Sequence, residues 1–373
     1  MRTALGVVLI LATMTGCRDA SEPAPAGTPS AAAPAPSAQT PPATAEATPT
    51  PGGEPVTAEN FVRAETDVYF GKILKDAGAV GKFHHNRDVT PIEHQPVVRQ
   101  NRDTLYTSAV FDLDAGPVTV TLPEAGGRFM SMQVINQDEY TPKVVYTAGP
   151  HTLTRKDIGT RYVVTAIRIL VDPNSPEDLA KVRALQDAIK AEQPGGPGSF
   201  DVPHWDTASQ KKVRDALLTL ASTLPDSRKA FGTKAEVDPV RRLVMAASAW
   251  GGNPDKDALY LNVVPEKNDG TTVHRLTVKD VPVDGFWSIS LYNGDGFFQQ
   301  NEQNAYSINN VTAKKADDGS VTVQFGGCDG KVPNCLPIMK GWNYLVRLYR
   351  PRREVLSGKW TFPAPQPVAA AGS

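Results

Sequence analysis

Val97-Val98-Arg99-Gln100-Asn101-Arg102-Asp103-Thr104-Leu105-Tyr106-Thr107 marks the point where the texture of this chain changes. From residue 104 to 113 apolar and polar residues alternate. Leu105, Thr107, Ala109, Phe111 and Leu113 fall on one face, as a half-buried strand requires. Asp114-Ala115-Gly116-Pro117 is a turn, 118–122 a second strand, Glu124-Ala125-Gly126-Gly127 another turn and 128–136 a third strand. Strands at 144–147 and 161–170 continue the series. Short strands with Gly/Pro turns at this interval predict antiparallel β-structure.

On the N-terminal side, 58–77 reads as a helix. Thr57 is its N-cap, Glu59 lies in the first turn, Val62, Tyr69, Ile73 and Ala77 form the apolar stripe, and Gly78 is the stop. Residues 78–96 then form a loop that holds His84, His85 and His94 with Asp88 and Glu93 among them. Imidazole and carboxylate suit zinc or iron, but the spacing fits no helical ligand pattern. Histidines that tie a loop to its own backbone explain the loop equally well.

On the C-terminal side, Ser175-Pro176-Glu177-Asp178 is a helix start with an N-cap serine and proline at the first helical position. Leu179, Val182, Leu185 and Ile189 carry its stripe. A second helix is expected over 207–224, with Val213, Leu217, Leu220 and Leu224 along one side, and a third over 238–249. Strands resume at 259–264, 273–278, 285–292, 321–325 and 344–349, and Asp317-Asp318-Gly319-Ser320 reads as a hairpin turn. The fold class expected is α+β and mostly β: two antiparallel β-sandwich-like units with a helical insertion between them, behind a disordered N-terminal tether.

The tether follows from composition. The 373 residues include 32 prolines, many near the N-terminus, and 39 basic residues nearly cancel 40 acidic ones. That balance gives no reason to expect nucleic acid. Residues 1–17 hold one arginine, a short apolar run and small residues, the pattern of a secretory signal. Thr15-Gly16-Cys17 resembles a bacterial lipobox, with Met14 where leucine is usual, so Cys17 is the expected lipidation site and the membrane an expected partner. Residues 18–55, rich in Ala, Pro, Thr, Ser and Gly, bury almost nothing and are expected to be disordered. The expected location is the cell envelope, at the outer membrane facing the periplasm, because Asp does not directly follow Cys17. The domain limits read are 56–195, 196–250 for the helical connector, and 251–365. In an exported protein Cys328 and Cys335 are a default local disulfide, closing a loop for about 2.5 kcal/mol; a metal or redox pair is the alternative.

Several side chains can carry chemistry. Arg102 can clamp a carboxylate or phosphate in bidentate fashion, Asp103 can act as a base, and Tyr106 can donate a hydrogen bond. A buried ion-pair network joining loop to sheet is the competing account. In Gly285-Phe286-Trp287-Ser288-Ile289-Ser290-Leu291-Tyr292, Trp287 and Tyr292 point to opposite faces, and one face can wall a pocket. The loop 294–304 combines Phe297 and Phe298 with Gln299, Gln300, Asn301, Gln303 and Asn304, a mixture suited to neutral polar ligands. Arg102, Tyr106, Trp287, Tyr292, Asn304 and Tyr306 are the ligand-binding candidates. Neither Gly-x-Ser-x-Gly, His-Glu-x-x-His, a P-loop nor a dinucleotide fingerprint occurs, so nothing calls for a cofactor.

Residues 61–190 resemble the bacterial domain of unknown function 1254. The likeness lies in Asn101-Arg102-Asp103-Thr104-Leu105-Tyr106-Thr107, Phe111-Asp112-Leu113, Gly116-Pro117-Val118, Leu122-Pro123, Arg128-Phe129 and Leu185-Gln186-Asp187. Residues 255–363 resemble its usual companion, domain 1214, through Ala258-Leu259-Tyr260, the 285–292 stretch, Asn304-Ala305-Tyr306-Ser307-Ile308, Asp318-Gly319-Ser320, Asn334-Cys335-Leu336-Pro337 and Arg347-Leu348-Tyr349-Arg350-Pro351. Larger members often carry Trp where this chain has Cys335, and the insert with Cys328 departs from the pattern. The resemblance implies a mostly β, two-part fold in exported bacterial proteins and no settled reaction. The reading is a lipid-anchored protein binding a small polar ligand in a cleft between its β units. The alternatives are an esterase-like hydrolase using the same cleft and an envelope scaffold.

Overall fold

The strand that begins at Thr104 is the middle of the N-terminal half. In the computed structural model, which describes residues 52–95 and 97–368, Thr104–Asp112 pairs along its whole length with Tyr162–Leu170, antiparallel. Met130–Asn136 adds to the far side of that strand and Lys143–Val145 follows. His84–His85 caps the opposite edge, so part of the expected histidine loop is a two-residue strand. A second sheet, in the order Gly149–Leu153, Val118–Leu122, Lys190–Glu192, covers one face. Leu105, Ala109, Phe111, Val118, Val120 and Leu122 meet between the two sheets. This is the face the alternation assigned. Side chains of successive strand residues point to opposite faces, so Val110 packs on the other side, against Phe70 of the first helix.

That helix, Phe61–Ala77, starts at Asn60 rather than Thr57 and stops at Gly78, whose φ of 83° is left-handed. Val62 of the expected stripe is buried, but the rest of the buried face runs through Phe61, Ala64, Glu65 and Phe70, while Tyr69, Ile73 and Ala77 are half-buried. Buried Glu65 accepts from Gln210 at 3.0 Å and pairs with Arg214. Buried Asp67 accepts from Gln137 and from the indole of Trp205. The helical insertion, Thr207–Ala221 and Pro239–Ala249, packs on this helix, with Leu217, Val244 and Ala246 against Phe61 and Val62. Leu220, expected in the stripe, is half exposed. The chain is already packed at Glu54, which bridges Trp205 in parallel, so the body begins within the stretch expected to be tether. Residues 1–51, with the signal, Cys17 and most of the tether, lie outside the described residues.

The C-terminal half is a second two-sheet layer. One sheet runs Ser307–Asn309, Trp287–Tyr292, Asn343–Tyr349, Ala258–Val263, all antiparallel. The other runs Cys335–Leu336, Val321–Phe325, His274–Val278, Gln366–Pro367 and is antiparallel except for its parallel first pair. Ile289, Leu291, Val323, Phe325, Trp342 and Val346 fill the space between them. The Asp317–Ser320 turn is present, but it leads into Val321–Phe325 from irregular chain, so it closes no hairpin. Cys328 and Cys335 form a disulfide, with Cα atoms 5.7 Å apart.

Candidate functional site

The even-numbered residues of Trp287–Tyr292 and the odd-numbered ones of Asn343–Tyr349 face away from the C-terminal core, toward the N-terminal half. There they meet the 99–106 stretch. Ser288 Oγ donates to Asp103 Oδ2 at 2.6 Å, and both residues are fully buried. Arg347, itself buried, brings Nη1 to 4.0 Å from the same carboxylate oxygen. Its guanidinium also donates to Ser290 Oγ (2.8 Å), the Arg99 carbonyl (2.8 Å) and Tyr292 Oη (3.0 Å). Tyr292 in turn donates to the Gln100 carbonyl at 2.9 Å. Arg99, at a left-handed φ of 52°, reaches Asn343 Oδ1 at 2.6 Å. Burial raises the Asp103 carboxyl, and Arg347, Ser288 and Asn309 pull it back. Burial also works against the charge on Arg347, but Tyr292, Tyr349 and Asp103 outweigh it and hold the guanidinium charged.

Beside this lies a second buried cation. Arg168 stands opposite Tyr106 in the strand register, with its guanidinium 5.4 Å from the Tyr106 ring centroid. It donates to Gln133 Oε1 at 2.8 Å. Asn101 donates to both Tyr106 Oη (3.0 Å) and Tyr349 Oη (3.2 Å). Burial raises the Tyr106 phenol, but Arg168, with the Asn101 and Thr104 hydrogen bonds, outweighs it and leaves the phenol below its ordinary value.

This network corrects part of the sequence reading. Asp103 is sealed between two sheets, with one oxygen accepting from Ser288 and the other without a hydrogen-bond partner, and neither cleft described below reaches it, so it is not placed to meet a substrate as a base. Trp287 belongs to the C-terminal core, against Phe362. Tyr292 is part of the polar seam, not a pocket wall. Tyr106 lines neither of the two clefts described below. Thr107 points away from Tyr106, and His85 Nδ1 lies 2.9 Å from its hydroxyl. His84 Nδ1 lies 3.2 Å from the Asp76 carbonyl, and His94 is exposed. Among the described residues no three His, Cys, Asp or Glu side chains converge on a metal position.

Two clefts open along the join. The smaller, about 300 Å³, brings Arg102, Asn304 and Tyr306 together with Glu93 and Asn174. Arg102 donates to the Thr90 carbonyl, and its guanidinium lies 5.5 Å from the Tyr306 ring centroid and 6.0 Å from that of Phe298. Burial makes the Arg102 charge less favourable, and Tyr306 and Glu93 partly restore it. Asn304 holds a φ of 48° and accepts from Tyr306 Oη at 3.4 Å. The larger cleft, about 770 Å³, is lined by Arg128, Phe129, Tyr146, Phe286 and Arg350 among others. The 172–175 turn gives Asn174 to one cleft and Asp172 and Ser175 to the other, so it stands between them. The sequence pointed to none of Arg347, Arg168 and Arg350 as functional. Their one signal was a charge placed in or directly after an apolar strand.

Residues 80–156 match the family described as protein of unknown function DUF1254, and residues 262–353 match protein of unknown function DUF1214. The chain joins a DUF1254 region to a DUF1214 region. Asp103 lies in the first and Ser288 and Arg347 in the second, so the buried network is the bond between DUF1254 and DUF1214. The fold is similar to that of the VPA0106 protein from Vibrio parahaemolyticus, with TM-score 0.65 at 18% identity, covering 83% of this chain and 98% of that one. An uncharacterised protein from Burkholderia cenocepacia aligns at TM-score 0.42 and 13% identity, over 79% of this chain and 84% of that one. No curated protein matches. In the smaller cleft, Arg102 comes from the DUF1254 side and Asn304 and Tyr306 from the DUF1214 side. In the larger, Tyr146 and Arg350 are the corresponding pair.

Proposed function

We propose that this protein binds a small polar ligand carrying a carboxylate, in the smaller cleft between its DUF1254 and DUF1214 regions. The observation behind this reading is the position of Arg102. Its guanidinium is half-buried at the cleft wall and flanked by the Phe298 and Tyr306 rings, with one donor committed to the Thr90 carbonyl. No ion pair takes the remaining donors among the described residues, and a planar fork in that state matches a carboxylate. The amides of Asn304 and Asn174 supply further hydrogen bonds at the mouth. The sequence adds the second part of the proposal: export, lipidation at Cys17 and a place in the cell envelope, from which the tether would hold the folded body off the membrane.

The test is a thermal-shift screen of the full chain against carboxylates, sugars, esters and metals, repeated on Arg102→Ala. A carboxylate at about 100 times its Kd stabilises by about 2.7 kcal/mol. The reading requires a shift with a carboxylate that the variant loses while it stays folded. A screen in which no carboxylate moves the transition refutes it. Palmitate labelling lost in Cys17→Ser tests the anchor.

A further inference from the structure

We propose that the larger cleft is a second and separate binding site, selective for aryl monocarboxylates. Its size suits a ligand with a ring and a short side chain; small-molecule pockets run from roughly 300 to 1,000 Å³, and this one measures about 770 Å³. The apolar wall is a cluster of rings. Phe129 lies 5.0 Å from Phe286 and 5.9 Å from Tyr146, centroid to centroid. Such rings accept another ring edge-on or offset.

The polar end is Arg350. Its guanidinium lies 4.6 Å from the centroid of Tyr146. Among the described residues no side-chain hydrogen bond or ion pair engages it. Asp257 and Asp284 feel its charge, but the carboxylates around it take their hydrogen bonds from other groups, and Asp257 keeps one oxygen unpartnered. Asp178 takes Arg128 in a two-pronged pair, Asp284 takes Arg352 at 2.6 Å, and Asp257 accepts from Tyr146 Oη at 2.8 Å. Arg350 is therefore a positive charge at an aromatic wall with its donors unspent, the arrangement that recognises one carboxylate. The rim carries the opposite preference. Glu124 and Glu177 are exposed there, with Lys181 as the one exposed cation near them. A second negative charge on the ligand would meet that rim.

The probe is 3-phenylpropionate, titrated into the full chain by calorimetry, with phenylsuccinate as the dicarboxylate comparison. Expected are saturable binding of 3-phenylpropionate, binding at least ten-fold weaker in Arg350→Gln, and phenylsuccinate at least ten-fold weaker than the probe. Arg102→Gln, in the smaller cleft, should bind the probe as the native chain does. Absence of saturable binding to the native chain overturns the proposal. So does undiminished binding in Arg350→Gln, or loss in Arg102→Gln alone, which would move the probe to the other cleft. If Arg350→Gln fails to fold, Val311→Asp decides. Val311 is a rim residue, 63% exposed, so the new charge leaves the core alone. It should weaken the probe at least three-fold, and unchanged binding is fatal to the idea.

Discussion

Glu139 is predicted to make this protein less stable as pH rises, and its replacement by glutamine to remove that dependence. The residue sits in the turn after Met130–Asn136 at a left-handed φ of 59° and is 3% exposed. The turn is fixed by Asn136, whose side-chain oxygen accepts from the amides of Asp138 and Tyr140, and it aims the carboxyl inward. One oxygen accepts from the Gly251 amide at 3.1 Å, and the other has no partner. Tyr69, stacked on Trp250, and Arg242 are the titratable groups that face it. Burial pushes its pKa up to about 8 from 4.5, against the pull of the Gly251 amide and Arg242.

The folded state therefore holds this proton where the unfolded chain has lost it. Stability is intact below about pH 4.5, falls as pH rises toward 8, and is level above. From 4.5 to 7 is about 2.5 pH units, each worth about 1.4 kcal/mol, so the penalty at neutral pH is about 3 kcal/mol. Glutamine keeps the acceptor for Gly251 and cannot ionise. Glu139→Gln and the native chain should melt together near pH 4.5 and separate by on the order of 5 °C at pH 7. Other buried carboxyls cancel in the comparison. Melting curves that run parallel from pH 5 to 8.5 would refute the reasoning.

Removing one partner of a buried charged pair costs about 3–5 kcal/mol; Arg347→Met should lower the denaturant midpoint accordingly. A Cβ on Gly285 would come within 2.7 Å of the Tyr349 carbonyl and 3.1 Å of Phe129, so Gly285→Ala should cost about 1–3 kcal/mol in chemical denaturation through overpacking. Opening the Cys328–Cys335 loop with Cys335→Ser should cost about 2.5 kcal/mol, read as a lower thermal midpoint under non-reducing conditions. Adding reductant should then leave the variant unchanged.

Strands were the legible part of this fold wherever one face was plainly apolar. Residues 118–122 and 321–325 alternate cleanly and form strands with those limits. The two- and three-residue strands at His84–His85, Lys190–Glu192 and Cys335–Leu336 carry no period to read. The first helix was found but its buried face was misread. Glu65 and Asp67 point inward, satisfied by Arg214, Gln210, Gln137 and Trp205, and two acids in a stripe hide it. The site was half legible for a similar reason. Arg102, Asn304 and Tyr306 were each picked out by type, but their meeting in one cleft depends on pairings across some 200 residues. Trp287 and Tyr292 were correctly assigned to opposite faces. Neither face turned out to be open, because the DUF1214 sheet is covered on both sides.

The Asp103–Ser288 hydrogen bond has a consequence for how the chain is made. Its partners are 185 residues apart, and a ribosome adds roughly 5–20 residues per second. The N-terminal half thus waits on the order of 10 to 40 s with Asp103, Arg168 and the rings around Phe129 uncovered. During that interval it presents an aromatic, charge-bearing flank that only its own later half can close. A truncated or stalled chain would keep that flank, and chaperones or proteases that respond to such surfaces would meet it first.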